Sequence, residues 1–405
     1  MLEHARSGKL LRAMVGADAR LEGTDDLEAL SRIISWAFGF PPPSVVKWLT
    51  DSGLENVRVL REGKVPCAGL LEIPMAHWFG GESVPTVGVA GVGVDPAARG
   101  KGLALRLMQA CLRDARAAGT ALSSLYPATI TLYRAAGYEL AGHHFRWSVR
   151  AADCPRVKHG LELSPIRPED DLAIEETYRA FARTQPGYLD RGHYVWNRVR
   201  APMGESARGF VVRGEHGVEG YVYLSQQGNV ATAQNLQLSD LVALTPGALA
   251  AILTLLFEHR SMVERVQWQG PPSNANLFAF SEKVFSIEMK SFWMLRIVHV
   301  EHALARRGYP PLDLGVTLRV EDDLLSENSG TYRLTLSAGT PRVEMLAPSH
   351  AADAELGIRA LASLYTGFMT PSELVRAGLL RASSTTQQKL ALVFGGPAPS
   401  LADFF

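Results

Sequence analysis

Arg99, Gly100, Lys101 and Gly102 stand together in the stretch VGVDPAARGKGLALRLMQACL (Val92–Leu112), which opens as an apolar strand and closes as an apolar-periodic helix. Two glycines clear side chains from a strand-to-helix turn, so backbone N–H groups lie open there. The first N–H groups of the helix add a partial positive charge. Arg99 and Lys101 put full charges beside them. This is chemistry for an anion, and its natural partner is a pyrophosphate. A dinucleotide site would need G-x-G-x-x-G with an acid about 20 residues on, and a P-loop would need G-x-x-x-x-G-K-[ST]. Neither spacing is present. Taken alone, the stretch also fits a helix start with solvated basic residues.

The flanking sequence alternates strand and helix patterns. Leu27, Leu30, Ile33, Ile34 and Ala37 recur at helical spacing behind Asp25 and Glu28, a capping-box variant, and Pro41-Pro42-Pro43 is expected to stop that helix. NVRVL, AGLLEIP and PTVGVAGVGV read as strands, as does TALSSLYP. ATITLYRAAGYEL then reads as a short helix stopped at Gly137 with a return to strand. Residues 1 to about 150 thus form one α/β unit. LELSPIRPEDDLAIEETYRAFAR echoes RLEGTDDLEALSRIISWAF; a hairpin around Glu215-His216-Gly217, a strand and a helix starting at Thr245-Pro246 follow. The echo reads as a degenerate repeat, because its connection Leu244-Thr245-Pro246-Gly247 lacks a basic glycine-rich turn. From about Trp293 come a strand, a helix closed by Gly308 and a run of hairpin strands. Helical segments over Ala352–Phe368 and TPSELVRAGLL complete an α+β unit.

The chain has 405 residues, enough for two or three domains; 47% are hydrophobic and 20% charged. Its 41 basic and 41 acidic side chains cancel, which argues against a broad nucleic-acid or anionic-membrane surface. Cys67, Cys111 and Cys154 are scattered and odd in number, which suggests a reducing cytosol and offers neither a disulfide framework nor metal-ligand spacing. His143 and His144 are adjacent on an expected strand and face opposite sides, so no metal site is expected from them. The first twenty residues have no apolar core of a signal peptide, and the longest apolar run, GALAAILTLLF (Gly247–Phe257), is too short to span a bilayer. A cytoplasmic location is the expectation.

The pattern strand-x-P-x-x-R-G-K-G-helix resembles the coenzyme A loop of GNAT acetyltransferases, whose motif reads Q/R-x-x-G-x-G/A; here Ala97 takes its first position. LYRAAGYEL (Leu132–Leu140) resembles the segment that closes GNAT domains, about 30 residues downstream. The three-part layout, with WMLRIVHVEHALARRGY, LASLYTGF and a terminal phenylalanine, resembles the Eis-type (enhanced intracellular survival) N-acetyltransferases over essentially the whole chain. The resemblance implies tandem GNAT-like domains, each a mixed sheet with helices, followed by a sterol-carrier-protein-like α+β domain. The boundaries expected are 1–153 for the catalytic domain, 154–292 for a GNAT-like domain without a cofactor site, and 293–405 for a domain ending in the active site. It also implies acetyl-CoA as co-substrate, no metal, and a homohexamer.

Acetyl transfer to an amine needs a neutral amine, a polarised thioester carbonyl and a proton for the departing thiolate. By resemblance Tyr133 is the proton donor; without the motif it would read as a core aromatic. The base by resemblance is the α-carboxylate of Phe405, and the apolar ending SLADFF favours docking over fraying, although a purely structural role stays open. Tyr126, on the preceding strand, is a second candidate acid, and Tyr138 reads as a packing residue. Val92, Gly93 and Val94 are expected to pair with the pantetheine arm, and Arg99, Gly100, Lys101, Gly102, Leu103, Ala104, Leu105, Ala128 and Thr129 complete the cofactor site. Phe38, Phe40, Trp48 and Phe404 are expected to line an aromatic substrate pocket that favours small or apolar amines over polycations. No cysteine is placed as a nucleophile, so direct transfer in a ternary complex is preferred. A second class stays open: a non-catalytic protein that binds acetyl-CoA or an apolar ligand, or serves as a scaffold.

Overall fold

The apolar runs around the basic turn pair with one another and with strands from far along the chain. The structure, a computed structural model, describes residues 15–215, 217–228 and 234–405. Thirteen strands form one sheet: β1 (Val15–Arg20), β2 (Val57–Glu62), β3 (Val65–Phe79), β4 (Glu82–Val94), β5 (Leu122–Leu125), β6 (Glu139–Arg150), β7 (Glu162–Pro165), β8 (Leu189–Asp190), β9 (Arg208–Gly214), β10 (Gly217–Gln227), β11 (Gln234–Ala243), β12 (Val263–Gln269) and β13 (Phe285–Ile297). Their order is β1-β2-β3-β4-β5-β13-β6-β12-β11-β10-β9-β7, with β8 on β3. A second sheet, ordered β16-β15-β14-β17-β18, comprises β14 (Leu314–Glu321), β15 (Gly330–Ser337), β16 (Thr340–Leu346), β17 (Ala354–Gly357) and β18 (Leu380–Ala382).

Strand β13 corrects the expected division. It lies between β5 and β6, pairing Met294 with Leu125 on one side and Phe292 with His143 on the other. The cut expected between 292 and 293 therefore falls inside a strand, and the two α/β units share one continuous sheet. The burial pattern gives the reason. The first half of β13 alternates, whereas Trp293, Met294, Leu295 and Ile297 are all buried, as befits a strand enclosed on both faces.

Two helices cover the sheet around β4. Thr24–Phe38 buries Leu30, Ile33 and Ile34 in one core, and Leu103–Ala117 buries Leu107, Met108 and Cys111 in another. Leu70 and Leu71, neighbours on β3, belong one to each core, so these cores lie on opposite faces of the sheet. Asp25 does not cap the first helix. The cap position is Gly23, and Asp26 turns back to accept the Glu22 N–H at 2.7 Å and to pair with Arg61. The prolines also do more than stop that helix: Pro42 starts a second one, Pro42–Asp51, as a first-turn proline without a needed N–H can.

In the third unit, Ala352–Phe368 is not helical throughout. Its start is β17, and the helix runs Ile358–Thr366. A helix not anticipated, Ser384–Phe394, starts with Ser383 accepting the Thr386 N–H at 3.2 Å. The hairpin expected around Glu215–Gly217 includes His216, which lies outside the described residues; β9 and β10 on either side pair antiparallel. Among the described residues no helix is long and apolar enough to cross a membrane.

Candidate active site

The site is built where two parallel strands part. β4 and β5 pair through Thr86–Leu122, Val87–Ser123 and Gly88–Ser124, and the ladder then stops while β4 continues to Val94. From Val89 onward β4 is paired only with β3 among the described residues, so one backbone edge is left for an added strand. A bulge between Ala90 and Gly93 sharpens the divergence, and Gly91 makes it possible. Its φ of 61° is left-handed, and a Cβ there would come within 2.6 Å of the Trp48 ring. Val92 and Val94 pack toward the helix Leu103–Ala117, and Gly93 is held against Ile33.

That edge runs directly into the basic turn. Asp95 accepts the Ala97 N–H at 2.8 Å and fixes the turn's first half. Gly100 and Gly102 have φ of 80° and 73°, and a Cβ on either would meet nothing within 4 Å. Their glycine identity thus answers to backbone conformation; there is no crowding to relieve. Gly102 caps Leu103–Ala117 without a side-chain bond, and the first helical N–H to find a carbonyl is that of Arg106, on Gly102 at 3.1 Å. The N–H groups of Leu103, Ala104 and Leu105 remain at a 15-residue helix's positive end. Leu103 is buried, Ala104 and Leu105 partly so. Arg99 and Lys101 are exposed beside them, Lys101 reaching Glu62 at 3.3 Å.

The corresponding turn of the second unit is built differently. The helix Pro246–Glu258 is capped by Thr245, whose hydroxyl accepts the Ala248 N–H at 3.2 Å and donates to Glu219 at 2.7 Å. One N–H is consumed and a carboxylate stands beside that helix start, which disfavours a second anion.

Tyr133 sits in the short helix Ile130–Ala135, just after the exposed Ala128 and Thr129. It is 5% exposed and packs in the core that holds Leu103, Leu125 and Val89. Its hydroxyl makes no hydrogen bond among the described residues, and burial pushes the phenol up to about 12. Tyr138 differs: its hydroxyl is 2.7 Å from Ser123, inside the core.

The chain end approaches from the other face. Phe405 is 6% exposed, in the core of Leu30 and Ile34, with its ring beside Tyr126 at 5.6 Å. A Cβ on Gly88, at the last rung before the strands part, would meet the Met75 side chain at 2.7 Å and the Phe405 ring at 3.1 Å. Tyr133, in the core of Val89, and Phe405, beside Gly88, thus pack on opposite faces of the sheet next to the end of the β4–β5 ladder.

Sequence reasoning missed the fastening that brings Phe405 there. The Leu401 N–H donates to the His143 carbonyl at 3.0 Å, and His144 Nδ1 donates to the Leu401 carbonyl at 2.8 Å. Burial lowers the pKa of His144, which favours its neutral form. The Tyr126 hydroxyl donates to the Asp403 carbonyl at 2.7 Å, and Arg198 Nε to the Phe404 carbonyl at 3.2 Å. The Asp403 carboxylate meets Arg191 Nη2 at 2.9 Å, and the same guanidinium holds Asp240 at 2.5 Å and lies over the Tyr178 ring at 3.7 Å. Burial works against the Arg191 charge, and the two carboxylates more than offset it. One signal was present: Asp403 is the lone acid in an apolar ending, and a buried acid needs a cation. Its partners lie in the second unit at no readable spacing.

The four residues expected to line a substrate pocket separate. Trp48 joins the site: its Nε1 donates to the Tyr194 hydroxyl at 2.9 Å, and Tyr194 receives Arg198, the residue that holds Phe404. Phe404 is 57% exposed with its ring 4.6 Å from that of Tyr126. Phe38 and Phe40, 41% and 54% exposed, sit where the first helix ends and the chain turns toward the second, and no stacking contact ties them to the chain end among the described residues. The expected pocket-rim helix and the loop after it carry Phe38, Phe40 and Trp48, but at the turn through Gly39 both phenylalanines are exposed. No three His, Cys, Asp or Glu side chains gather as a metal-ligand group among the described residues.

Comparison with known proteins matches residues 18–141 and 187–297 to acetyltransferase (GNAT) domains and residues 300–402 to a sterol carrier protein domain. An uncharacterized N-acetyltransferase of Streptomyces avermitilis is 26% identical over 328 residues, 75% of this chain and 76% of its own length. Eis1 from Mycobacterium abscessus shares the fold, with a TM-score of 0.78 and 21% identity over 96% of this chain and 100% of its own. A GCN5-related N-acetyltransferase from Anabaena variabilis superposes with a TM-score of 0.90 and is 32% identical, covering 95% of this chain and 99% of its own. With that identity spread over nearly the whole of both chains, and two acetyltransferase domains ahead of a sterol carrier protein domain, this chain belongs to the GCN5-related N-acetyltransferase family and is an acyltransferase that shares the fold of Eis1.

Proposed function

We propose that the chain transfers an acetyl group from acetyl-CoA to a primary amine by direct attack in one ternary complex, with Tyr133 as general acid and the Phe405 carboxylate as base. The observation that carries this reading is the gap between β4 and β5. A free strand edge leads into a helix start without a side-chain cap, flanked by Arg99 and Lys101, and the rings of Tyr133 and Phe405 pack beside the last rungs of the ladder, which supports these two residues as acid and base. Acetyl-CoA supplies the activated acetyl group as a thioester. The edge of Val92, Gly93 and Val94 would pair with its amide-bearing arm, and the turn through Gly102 would take its pyrophosphate. Two protons must leave the amine nitrogen. The Phe405 carboxylate takes the first and passes it to solvent; Tyr133 gives its own to the departing sulfur and regains the second from nitrogen. Burial of all three cysteines, which raises their thiols, supports direct transfer over an acyl-enzyme.

The acceptor we infer is a compact or apolar amine in preference to an aminoglycoside, a polyamine or a lysine side chain. Phe404 and Tyr126 stack at the chain end, Trp48 is tied to it through Tyr194 and Arg198, and the acid of the ending, Asp403, is buried and paired with Arg191. A thiol-release assay with acetyl-CoA across monoamines, polyamines and aminoglycosides tests this. Higher kcat/KM for monoamines is expected, and equal turnover of a polycationic aminoglycoside would reverse the assignment.

The pH profile offers a second check. A phenol held near 12 stays protonated at every ordinary pH, so no loss of the acid limits the alkaline side. Turnover should rise between about pH 7 and about pH 10 as the amine becomes neutral. A decline within that window would argue against Tyr133 as the acid.

Gly102→Val forces a branched side chain into left-handed backbone, at a cost of about 1–2 kcal/mol or a displaced helix start. Affinity for acetyl-CoA should fall by roughly tenfold or more, since each 1.4 kcal/mol is tenfold. Calorimetric binding unchanged from wild type would remove the turn from the cofactor site. By resemblance we also propose a cytoplasmic homohexamer; a monomer in light scattering would dismiss the assembly.

A further inference from the structure

Arg307 is a cation that the fold encloses without a counter-charge. It follows the helix Val300–Arg306, is 6% exposed, and has no carboxylate partner among the described residues. Among the described residues its one side-chain hydrogen bond runs from Nη2 to the Phe394 carbonyl at 3.4 Å, and Nε is buried with no partner. Four rings surround the guanidinium carbon: Phe79 at 5.6 Å, Tyr309 at 5.6 Å, Tyr365 at 5.3 Å and Phe394 at 5.5 Å. Aromatic faces attract a cation, but they do not replace the hydrogen bonds and the anion that a desolvated guanidinium lacks. Burial accordingly lowers the Arg307 pKa, with the nearby phenols offsetting part of the effect. The other buried arginines each hold an acid: Arg58 Glu72, Arg61 Asp26, Arg191 Asp240 and Asp403, and Arg296 Asp322.

Arg307 lines a cavity of about 320 Å³ where the three units meet. The turn between β3 and β4 contributes Gly80 and Gly81, the end of the helix Asp171–Ala182 leads to Arg183, and the third unit adds the start of the C-terminal segment. Gly80 and Gly308 close one side backbone to backbone, since a Cβ on either would come within 2.1 Å of the other's carbonyl oxygen. Two lining residues are arginines and none is an acid. Arg183 is exposed, and among the described residues its one side-chain hydrogen bond is a 3.4 Å donation to the Gly81 carbonyl. Tyr309 and Phe394 give the cavity an apolar wall.

We propose that this cavity binds a small organic carboxylate, its anionic end toward Arg307 and Arg183 and its apolar body against Tyr309 and Phe394. A planar carboxylate matches the guanidinium, and the volume is at the low end of the range, about 300–1,000 Å³, of small-molecule sites. It suits a body the size of benzoate. The bound anion would supply the charge Arg307 lacks and join the three units at the root of the segment that ends at Phe405.

Thermal unfolding of the full chain in chloride buffer, titrated with benzoate in the millimolar range, tests the proposal. Benzoate should raise Tm saturably, and benzyl alcohol, of similar shape without charge, should not. Arg307→Met should fold with an unchanged or higher Tm, because no ion pair is lost, and should no longer respond to benzoate. Arg183→Ala, a surface change, should fold normally and bind benzoate about tenfold more weakly. If Arg307→Met does not fold, the Arg183→Ala result decides alone. No response in wild type, an equal response to benzyl alcohol, or undiminished benzoate affinity in whichever variant folds would overturn the site. Equal saturation by inorganic phosphate would overturn the organic carboxylate as its ligand.

Discussion

Tyr133→Phe should leave acetyl-CoA affinity within about twofold and lower kcat by ~10²- to 10⁴-fold. The substitution is unusually clean here. The phenol makes no hydrogen bond among the described residues, so its removal leaves no buried partner unsatisfied, and the ring keeps its place against Leu103 and Leu125. Tm should therefore stay level or rise slightly while turnover collapses, a combination that a structural tyrosine would not give. Tyr126 is a poor substitute, because its hydroxyl is committed to the Asp403 carbonyl and lies 3.2 Å from His144. Using it as an acid would release the chain end. An unchanged kcat in Tyr133→Phe would sink the assignment and leave water as the proton source.

The second large effect concerns the terminus itself. A C-terminal tag removes the carboxylate of Phe405 and forces peptide into a gap whose wall is Gly88, so acetylation should fall at least ~10²-fold, the scale of a lost acid or base. Deleting Phe405 moves the carboxylate to Phe404, about 3.5 Å short. Arg198 already reaches the Phe404 carbonyl at 3.2 Å and would capture the new charge as an ion pair, making it a weaker base. Phe405→Ala keeps the carboxylate and loses a buried ring, so stability should suffer more than kcat, by up to about 3–5 kcal/mol. Asp403→Asn separates positioning from chemistry. It removes one of the two carboxylates on Arg191, which keeps Asp240, and should loosen the whole ending, so kcat falls while acetyl-CoA still binds. Steady-state kinetics, cofactor calorimetry and Tm on these four variants give the ordering: tag and deletion lowest, Asp403→Asn between, Phe405→Ala highest. A tagged protein with full activity would end the idea.

The amino-acid sequence by itself determined what is local. A strand, a glycine turn and a helix follow from Val92–Leu112 because periodicity, Gly102 and the charges of Arg99 and Lys101 act within a few residues of one another. The short helix that carries Tyr133 was legible for the same reason, through a short motif close to Gly137. The division into two strand–helix units and a final α+β unit could also be read from repeated local patterns. Only the tertiary structure decided how those patterns combine. β13 leaves no trace in its sequence of lying between β5 and β6, because strand pairing is set by which apolar faces must be covered across the whole sheet. The parting of β4 from β5 is a relation between two strands, so neither sequence records it. Phe38 and Phe40 looked equivalent to Trp48 until the chain path at Gly39 turned them to solvent. Asp403 likewise acquires its role from Arg191, more than two hundred residues away, because a buried charge is stabilised by whatever counter-charge folding delivers to it, and sequence spacing carries no record of that delivery.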